Sequence, residues 1–598
     1  MAAPFEDYYA FRRFFPVAEL TPDGDVLFVT NRSGQFNLWR VGVDGGEPEQ
    51  LTTFADHSVR GVAVRNDGAI LFIADRDGDE FHQIYRIPAG GGAPEQLTDR
   101  DEVQHQIAGG SWAHDGTRFT FAGNLRTPTD SEIFVQRVGD EEPRYLYGEG
   151  KAMYTVGFSP DDSTILAVEF RSNTDISLWT IDADSGDATE ITPHDGEVVY
   201  FPGSWKADGS GVYLLTDEGR EFKGLAFKPV DGPLEWIETP DRDIEELTGS
   251  SDGRVIAWIE NDDGWACVRV RDVERGVDLP DPKLPRGTIS YFGSGVSVSR
   301  DGSTLALVWD QPTRPGELYV VDTATGDARA VTESRQPALH QLQLRAPELI
   351  HYESVDGRQI PAWLYRPDGD GPLPFALQIH GGPESQEKPM YRAFAQYLLS
   401  RGIGVLATNI RGSTGYGKTY QKLIHHDWGG GDLEDWRHAA EWLKSQPFVD
   451  GDRLGVFGGS YGGFATLTCV TRLPEYWRAA VDIFGPSNLE TFVRAVPPQW
   501  LRFMAAWVGD PDTEAEFLRE RSPITYVDQV RAALLVIQGA KDWRVAKSES
   551  DQMVERLREL GREVEYYVFD DEGHGFNRYE NEVKAYRMTC EWLESALL

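Results

Sequence analysis

Along the first 335 residues, short runs of alternating apolar positions are separated by polar turns at a regular interval. The turn appears as TPDG at Thr21, RNDG at Arg65, AHDG at Ala113, SPDD at Ser159, KADG at Lys206, SSDG at Ser250 and SRDG at Ser299, with 44 to 49 residues between copies. Strand-like runs follow most copies, among them DVLFVTN, AILFIAD, TILAVEF and TLALVWD, and several units add a second run such as FNLWRV or ISLWTI. Several units then close on a G…LT-type ending, as in GGEPEQLT and GGAPEQLT. Asp-Gly supplies a hairpin turn, and period-two alternation supplies half-buried strands. A repeat in the forties built of several short strands predicts propeller blades, and seven copies predict a closed seven-bladed β-propeller. After about Gln336 the pattern changes. LIHYESVDGRQIPAWLYRP predicts two strands and a turn; then FALQIH, GVLATNI, RLGVFGG, RAAVDIF, ALLVIQG and VEYYVFD alternate with helical sequence. One of those helices is the amphipathic LEDWRHAAEWLKS, which Asp432 is placed to cap. Such alternation predicts a mostly parallel sheet covered on both faces.

Composition changes this picture little. With 598 residues, 40% hydrophobic and 12% aromatic, the chain is long enough for two or three folded domains. A net charge of −39 argues against a nucleic-acid partner, because phosphate binding needs a basic surface. The chain is poor in Lys and rich in Arg, which fits GC-rich coding or a saline habitat. Cys267, Cys469 and Cys590 lie far apart and form no C-x-x-C pair, so neither a disulfide framework nor a zinc site is expected, and no metal or organic cofactor is implied. The acidic start MAAPFEDYYAFRRFF does not resemble a signal peptide, and no apolar run approaches a membrane span. A soluble cytoplasmic protein is expected, with no membrane partner; a homo-oligomer is left open.

The candidate chemistry centres on FGGSYGGF. Gly458-Gly459-Ser460-Tyr461-Gly462 is a G-x-S-x-G pattern between a predicted strand and a predicted helix. In a nucleophile elbow this turn lifts the serine hydroxyl clear of the sheet. The architecture is therefore expected to be an α/β-hydrolase, whose triad runs Ser, then Asp or Glu, then His. His574 is the one histidine C-terminal to Ser460. The acid should end the preceding strand, which selects Asp542; Asp528 lies at that strand's wrong end, and Asp570 and Asp571 end the histidine's own strand. For the oxyanion, the backbone N–H of Tyr461 is one donor. QIHGGP supplies the other, assigned to Gly382 ahead of Gly381, with His380 orienting the loop. The aromatic stretch Phe484–Trp507 is expected to wall an apolar pocket for the residue on the acyl side of the cleaved bond, with Phe484, Trp500, Phe503 and Trp507 as candidates.

Two rivals come from other classes. GSTGYGKT, Gly412–Thr419, satisfies the G-x-x-x-x-G-K-[ST] spacing of a phosphate-cradling loop after a predicted strand, which would make a nucleotide-binding protein. A propeller binding module with an inert hydrolase domain is the other, and labelling by a fluorophosphonate separates all three readings.

HGGP, NIRGSTGYG, GGGDLEDW, GGSYGGF, IQGAKDWRV and DEGHGF, in that order, resemble the prolyl oligopeptidase family of serine peptidases, and HGGP with RGSTGYG resembles its acylaminoacyl-peptidase branch most. The resemblance implies a propeller ahead of the hydrolase domain, giving residues 1–15 as an N-terminal helical segment on the hydrolase, 16–335 as propeller and 336–598 as catalytic domain. It implies hydrolysis of short peptides or acyl-peptides, with esterase or dipeptidyl/aminopeptidase activity as alternatives. In the dipeptidyl-peptidase and prolyl-oligopeptidase branches a Tyr stands where this chain has His380, which favours two backbone donors here. The Glu-Glu pair that holds a free amine in the dipeptidyl-peptidase branch has no counterpart in context, since neither Glu141-Glu142 nor Glu245-Glu246 has aromatic surroundings. By the same resemblance Arg544 projects toward the substrate backbone or a carboxylate, and Val545 joins the substrate-binding set.

Overall fold

The computed structural model describes residues 3–290, 293, 295–369 and 371–598. Seven four-stranded antiparallel sheets occupy residues 14–50, 57–96, 105–147, 153–190, 200–238, 244–278 and 297–330. They form the expected seven-bladed propeller. The recurring turn joins the first and second strands of each blade. Its glycine has positive φ in six blades (Gly24 86°, Gly68 88°, Gly116 71°, Gly209 70°, Gly253 68°, Gly302 74°), and Asp162 takes the same conformation at 61° in the seventh. Asp is among the few side chains that tolerate this region, which accounts for SPDD. The closing threonine also has a function: Thr52, Thr98, Thr192 and Thr332 each accept a hydrogen bond at Oγ1 from the N–H of Leu38, Ile84, Leu178 and Leu318, at 2.8–3.1 Å. It ties the outer strand to the third strand of its blade. Every blade is built of consecutive strands. The ring closes by packing of Ala18, Val26 and Phe28 against Ala306, Leu318 and Val320 of the seventh blade.

The second half is one eight-stranded sheet. Its strands are β1 (Glu348–Glu353), β2 (Gln359–Tyr365), β3 (Leu373–Ile379), β4 (Gly404–Thr408), β5 (Val449–Gly459), β6 (Ala479–Ile483), β7 (Ala533–Gly539) and β8 (Val564–Phe569), in the order β1-β2-β4-β3-β5-β6-β7-β8. The β1–β2 and β2–β4 pairs are antiparallel and the rest parallel. Strands β3, β4, β6 and β7 are buried almost throughout, as their continuous apolar runs require, while β8 at the sheet edge is mostly half-buried. Near the N-terminus, the short helix Phe5–Tyr8 packs on this half: Phe5 meets the Tyr397 ring edge-on at 5.2 Å, and Tyr391 donates its hydroxyl to the Tyr8 carbonyl at 2.7 Å.

The start of the helix Gly431–Ser445 is held by two aspartates. The Gly431 N–H meets Asp427 Oδ2 at 2.8 Å, and Asp432, inside the first turn, accepts the Leu433 N–H on Oδ1 at 2.8 Å while its Oδ2 accepts the Tyr461 hydroxyl at 2.5 Å. The one buried carboxylate thus serves both the helix end and the buried phenol.

The propeller sits over the C-terminal ends of the parallel strands, where the loops after β3, β5, β7 and β8 emerge. Asn261 Nδ2 bonds Gln386 at 2.6 Å, Lys388 pairs with Glu245 at 2.7 Å, and Lys541 and Arg578 both pair with Asp77, at 2.7 and 2.8 Å.

Candidate active site

Ser460 lies between β5 and the helix Tyr461–Arg472, with φ 60° and ψ −122°. That left-handed conformation is costly for a side-chain-bearing residue and marks a strained turn. The surrounding glycines permit it. A Cβ on Gly458 would stand 2.4 Å from the Ile379 carbonyl, and one on Gly462 2.2 Å from the same oxygen. The turn is therefore pressed against the end of β3, and no larger residue fits at either place.

The three polar residues expected to act together meet here. His574 Nε2 lies 2.9 Å from Ser460 Oγ, and His574 Nδ1 lies 2.7 Å from Asp542 Oδ2. The Asp542 side chain has no exposure. Its Oδ1 accepts the N–H groups of Arg544 and Val545 at 3.0 and 2.9 Å, and Gln538 Nε2 donates to Oδ2 at 3.3 Å. The carboxylate is thus fixed before it meets the imidazole. Phe484, held at φ 44° with its N–H on the Ile537 carbonyl at 2.8 Å, lays its ring 4.7 Å from the His574 ring. Behind the loop, buried Glu572 accepts the N–H groups of Asn577 and Arg578 at 2.8 and 3.1 Å, and burial pushes its carboxyl up to about 7.

On the other side of Ser460, Tyr461 is the first residue of its helix, so its N–H has no acceptor four residues back. The loop after β3 approaches closely: a Cβ on Gly381 would lie 3.4 Å from Ser460 Cβ. His380 is buried and lies against Ser413 rather than Ser460, as a residue that orients this loop should.

These groups border a cavity of about 510 Å³ that also touches Phe484, Trp500, Trp507, Arg544 and Val545. Trp428 and Phe492 line it as well, with Trp428 edge-on to Tyr461 at 4.8 Å. Sequence reasoning missed both; the glycine-flanked tryptophan of HHDWGGGD was the available signal. Phe503 stands apart. It borders a neighbouring gap of about 360 Å³ with Tyr154 and Phe170 of the propeller, where its ring meets Phe170 edge-on at 5.7 Å. Trp500 and Trp507 border both spaces. Arg544 lines the cavity, but its guanidinium is held by Glu80 of the second blade at 2.7 Å. Of the acidic pairs, Glu245 is engaged with Lys388, and Glu142 pairs with Arg100. Among the described residues, no group of three or more His, Cys, Asp or Glu is arranged to hold a metal ion.

A serine on a strained strand-to-helix turn, in line with an imidazole and a buried carboxylate, and roofed by a propeller, defines a serine hydrolase of the α/β class. The comparisons narrow the class. The family model described as the prolyl oligopeptidase family matches residues 389–598. Dipeptidyl aminopeptidase BIII of Pseudoxanthomonas mexicana is 30% identical over 602 residues, covering 96% of this chain and 85% of that protein. Among solved structures, a puromycin-hydrolyzing peptidase of Mycobacterium tuberculosis superposes with a TM-score of 0.86 at 19% identity, over 100% of this chain and 96% of that one. An acylaminoacyl peptidase of Pyrococcus horikoshii superposes with a TM-score of 0.74 at 19% identity, over 99% and 97%. This chain belongs to the prolyl oligopeptidase family and is a serine peptidase.

Proposed function

We propose that the protein cleaves short peptides and acyl-peptides by acyl transfer to Ser460. His574 Nε2 removes the hydroxyl proton as Ser460 Oγ attacks the carbonyl carbon, and then delivers that proton to the leaving nitrogen. Asp542 keeps Nδ1–H pointed toward itself and stabilises the imidazolium. The N–H groups of Tyr461 and Gly382 receive the negative oxygen of the tetrahedral intermediate. Water then attacks the acyl-enzyme, with His574 again as base. The observation that carries this reading is the pair of contacts at 2.9 and 2.7 Å that link Ser460, His574 and Asp542 in line. The aromatic wall of the cavity supports an apolar residue on the acyl side. A reducing, cytoplasmic setting belongs to the same proposal, supported by three free cysteines. Among the described residues, no helix is long and apolar enough to cross a membrane.

A second reading, release of dipeptides from a free N-terminus, is favoured by the dipeptidyl aminopeptidase relative, which aligns with nearly the whole chain. Turnover of a panel of acetyl-amino-acid, free-amine dipeptide and short-ester chromogenic substrates separates the readings. Preference for the acetylated compounds supports acyl-peptide release, preference for the free-amine dipeptides supports the second reading, and cleavage of the esters alone contradicts both.

A further inference from the structure

The segment Asn409–Thr419 has the spacing of a phosphate loop and is built for something else. Several of its N–H groups are already engaged. Gly412 donates to the Tyr420 carbonyl at 3.0 Å, Ser413 to Ile410 at 3.0 Å, Thr414 to Ser385 at 2.8 Å, and Thr419 to the Glu221 side chain at 2.7 Å. Lys418 is paired with Asp217 at 3.1 Å. A phosphate brought here would meet carboxylates where it needs donors.

The same segment makes three contacts with the loop carrying Gly381 and Gly382. Ser413 Oγ lies 2.9 Å from His380 Nε2, and His380 Nδ1 lies 2.7 Å from the Gly381 carbonyl. A carbonyl only accepts, so Nδ1 carries the hydrogen. Burial holds the imidazole below its ordinary value, so it is neutral and Nε2 accepts the Ser413 hydroxyl. Thr414 binds the Ser385 carbonyl. The Asn409 side chain brackets Glu387, with Oδ1 on its N–H at 2.7 Å and Nδ2 on its carbonyl at 3.0 Å. Asn409 and Ser413 are completely buried.

Peptide geometry connects these contacts to the chemistry. The Gly381 carbonyl and the Gly382 N–H belong to one planar peptide group and point in opposite directions when it is trans. Whatever aims that carbonyl aims that N–H. We propose that Asn409 and Ser413 are positioning residues for the oxyanion: Ser413 fixes the His380 ring, His380 fixes the Gly381 carbonyl, and the Gly382 N–H is thereby held toward the carbonyl oxygen under attack. Asn409 holds the far end of the same loop. The proposal rests on the assignment of Gly382 as an oxyanion donor.

The test compares Ser413→Ala, His380→Ala and their double variant in the full-length protein. Saturating fluorophosphonate counts competent sites, and the rate of labelling at Ser460 reports attack on phosphorus, in which the phosphoryl oxygen gains negative charge in the transition state as fluoride is displaced, without any peptide substrate. Loss of a whole oxyanion donor costs roughly 10²–10³ in rate. A donor left in place but loosely aimed should cost about 10 to 100-fold. Ser413→Ala is expected to slow labelling by that factor, to lower kcat per site equally, and to leave KM within about twofold. The double variant should be no slower than the slower single one, because both act through one peptide group. Asn409→Asp, which keeps the bond to the Glu387 N–H and loses the one to its carbonyl, should show the same split, and it decides the matter if Ser413→Ala does not fold. Labelling and turnover within about threefold of wild type, a change in KM alone, or effects that multiply in the double variant each overturn the proposal. A wild-type protein that labels at Ser460 but cuts no peptide would contradict the substrate reading instead, and the labelling rates would still decide this one.

Discussion

Replacing Asp542 with Asn probes how the base is held. Oδ1 of Asp542 accepts two backbone N–H groups, from Arg544 at 3.0 Å and Val545 at 2.9 Å. In the Asn variant only the amide oxygen can occupy that position, so the NH₂ group must take the place of Oδ2. It then faces His574 Nδ1 at the 2.7 Å where a carboxylate stood. Two donors cannot share that contact, so Nδ1 gives up its hydrogen and accepts. The hydrogen moves to Nε2, which stands 2.9 Å from Ser460 Oγ and can no longer take the hydroxyl proton. The fold should persist, because both backbone bonds survive. A wrong tautomer in a triad of this kind costs about 10⁴ in kcat, or about 5 kcal/mol of transition-state stabilisation. The assay is kcat on a chromogenic peptide at neutral pH, normalised to folded protein by near-ultraviolet circular dichroism. A folded Asp542→Asn protein keeping more than a tenth of wild-type kcat would contradict the role assigned to Asp542.

Further outcomes follow from the same geometry. Burial pushes the carboxyl of Asp482, behind the elbow, up to about 8, and its Oδ2 has no hydrogen-bond partner among the described residues. A carboxyl raised above its unfolded value of about 3.9 gives stability that is complete in acid and lost as pH rises toward 8, so Asp482→Asn should match wild type near pH 4 and gain on it by up to about 1.4 kcal/mol per pH unit above that. Thermal melts across pH 4 to 9 check this, and a constant difference would contradict it. In kcat/KM across peptides varied on the acyl side of the cleaved bond, Phe and Leu should exceed Glu and Lys by about 10-fold or more, since burying such a side chain is worth about 1.5–3 kcal/mol; a preference for Glu or Lys would rule out the aromatic wall as the selecting surface. With the propeller seated over the loops of Ser460 and His574, kcat/KM should fall steeply along a ladder of unstructured peptides from about five to sixty residues, and equal rates for long and short chains would mean the propeller does not filter.

The parts of the fold that follow local rules were legible in the sequence. Positive-φ glycines in Asp-Gly turns and period-two runs are local properties, so the seven blades could be counted. The order of Ser460, Asp542 and His574 along the chain sufficed to select partners that the fold brings within hydrogen-bonding distance. What escaped depends on contacts between distant segments. Arg544 meets Glu80 across 464 residues, and nothing near either position announces the pair. Asp432 has the position of a helix cap and does accept the Leu433 N–H, but its other oxygen also takes the buried Tyr461 hydroxyl and Asp427 takes the Gly431 N–H, contacts that the local sequence does not announce. Trp500, Phe503 and Trp507 share a helical spacing, but only the two tryptophans border the Ser460 cavity, because Phe503 turns to Phe170 of the fourth blade. The phosphate-loop spacing of Gly412–Thr419 misleads for the same reason, since its neighbours Asp217 and Glu221 come from the fifth blade.

Ser460 as the nucleophile is tested by the site of covalent capture. The wild-type protein is treated with a fluorophosphonate, digested and mapped by mass spectrometry, with folded Ser460→Ala in parallel and both assayed on a chromogenic peptide. One adduct is expected, on Ser460, together with loss of peptide turnover by roughly 10⁴ or more in Ser460→Ala. An adduct on another residue, or a folded Ser460→Ala protein that retains a tenth of wild-type turnover, would contradict it.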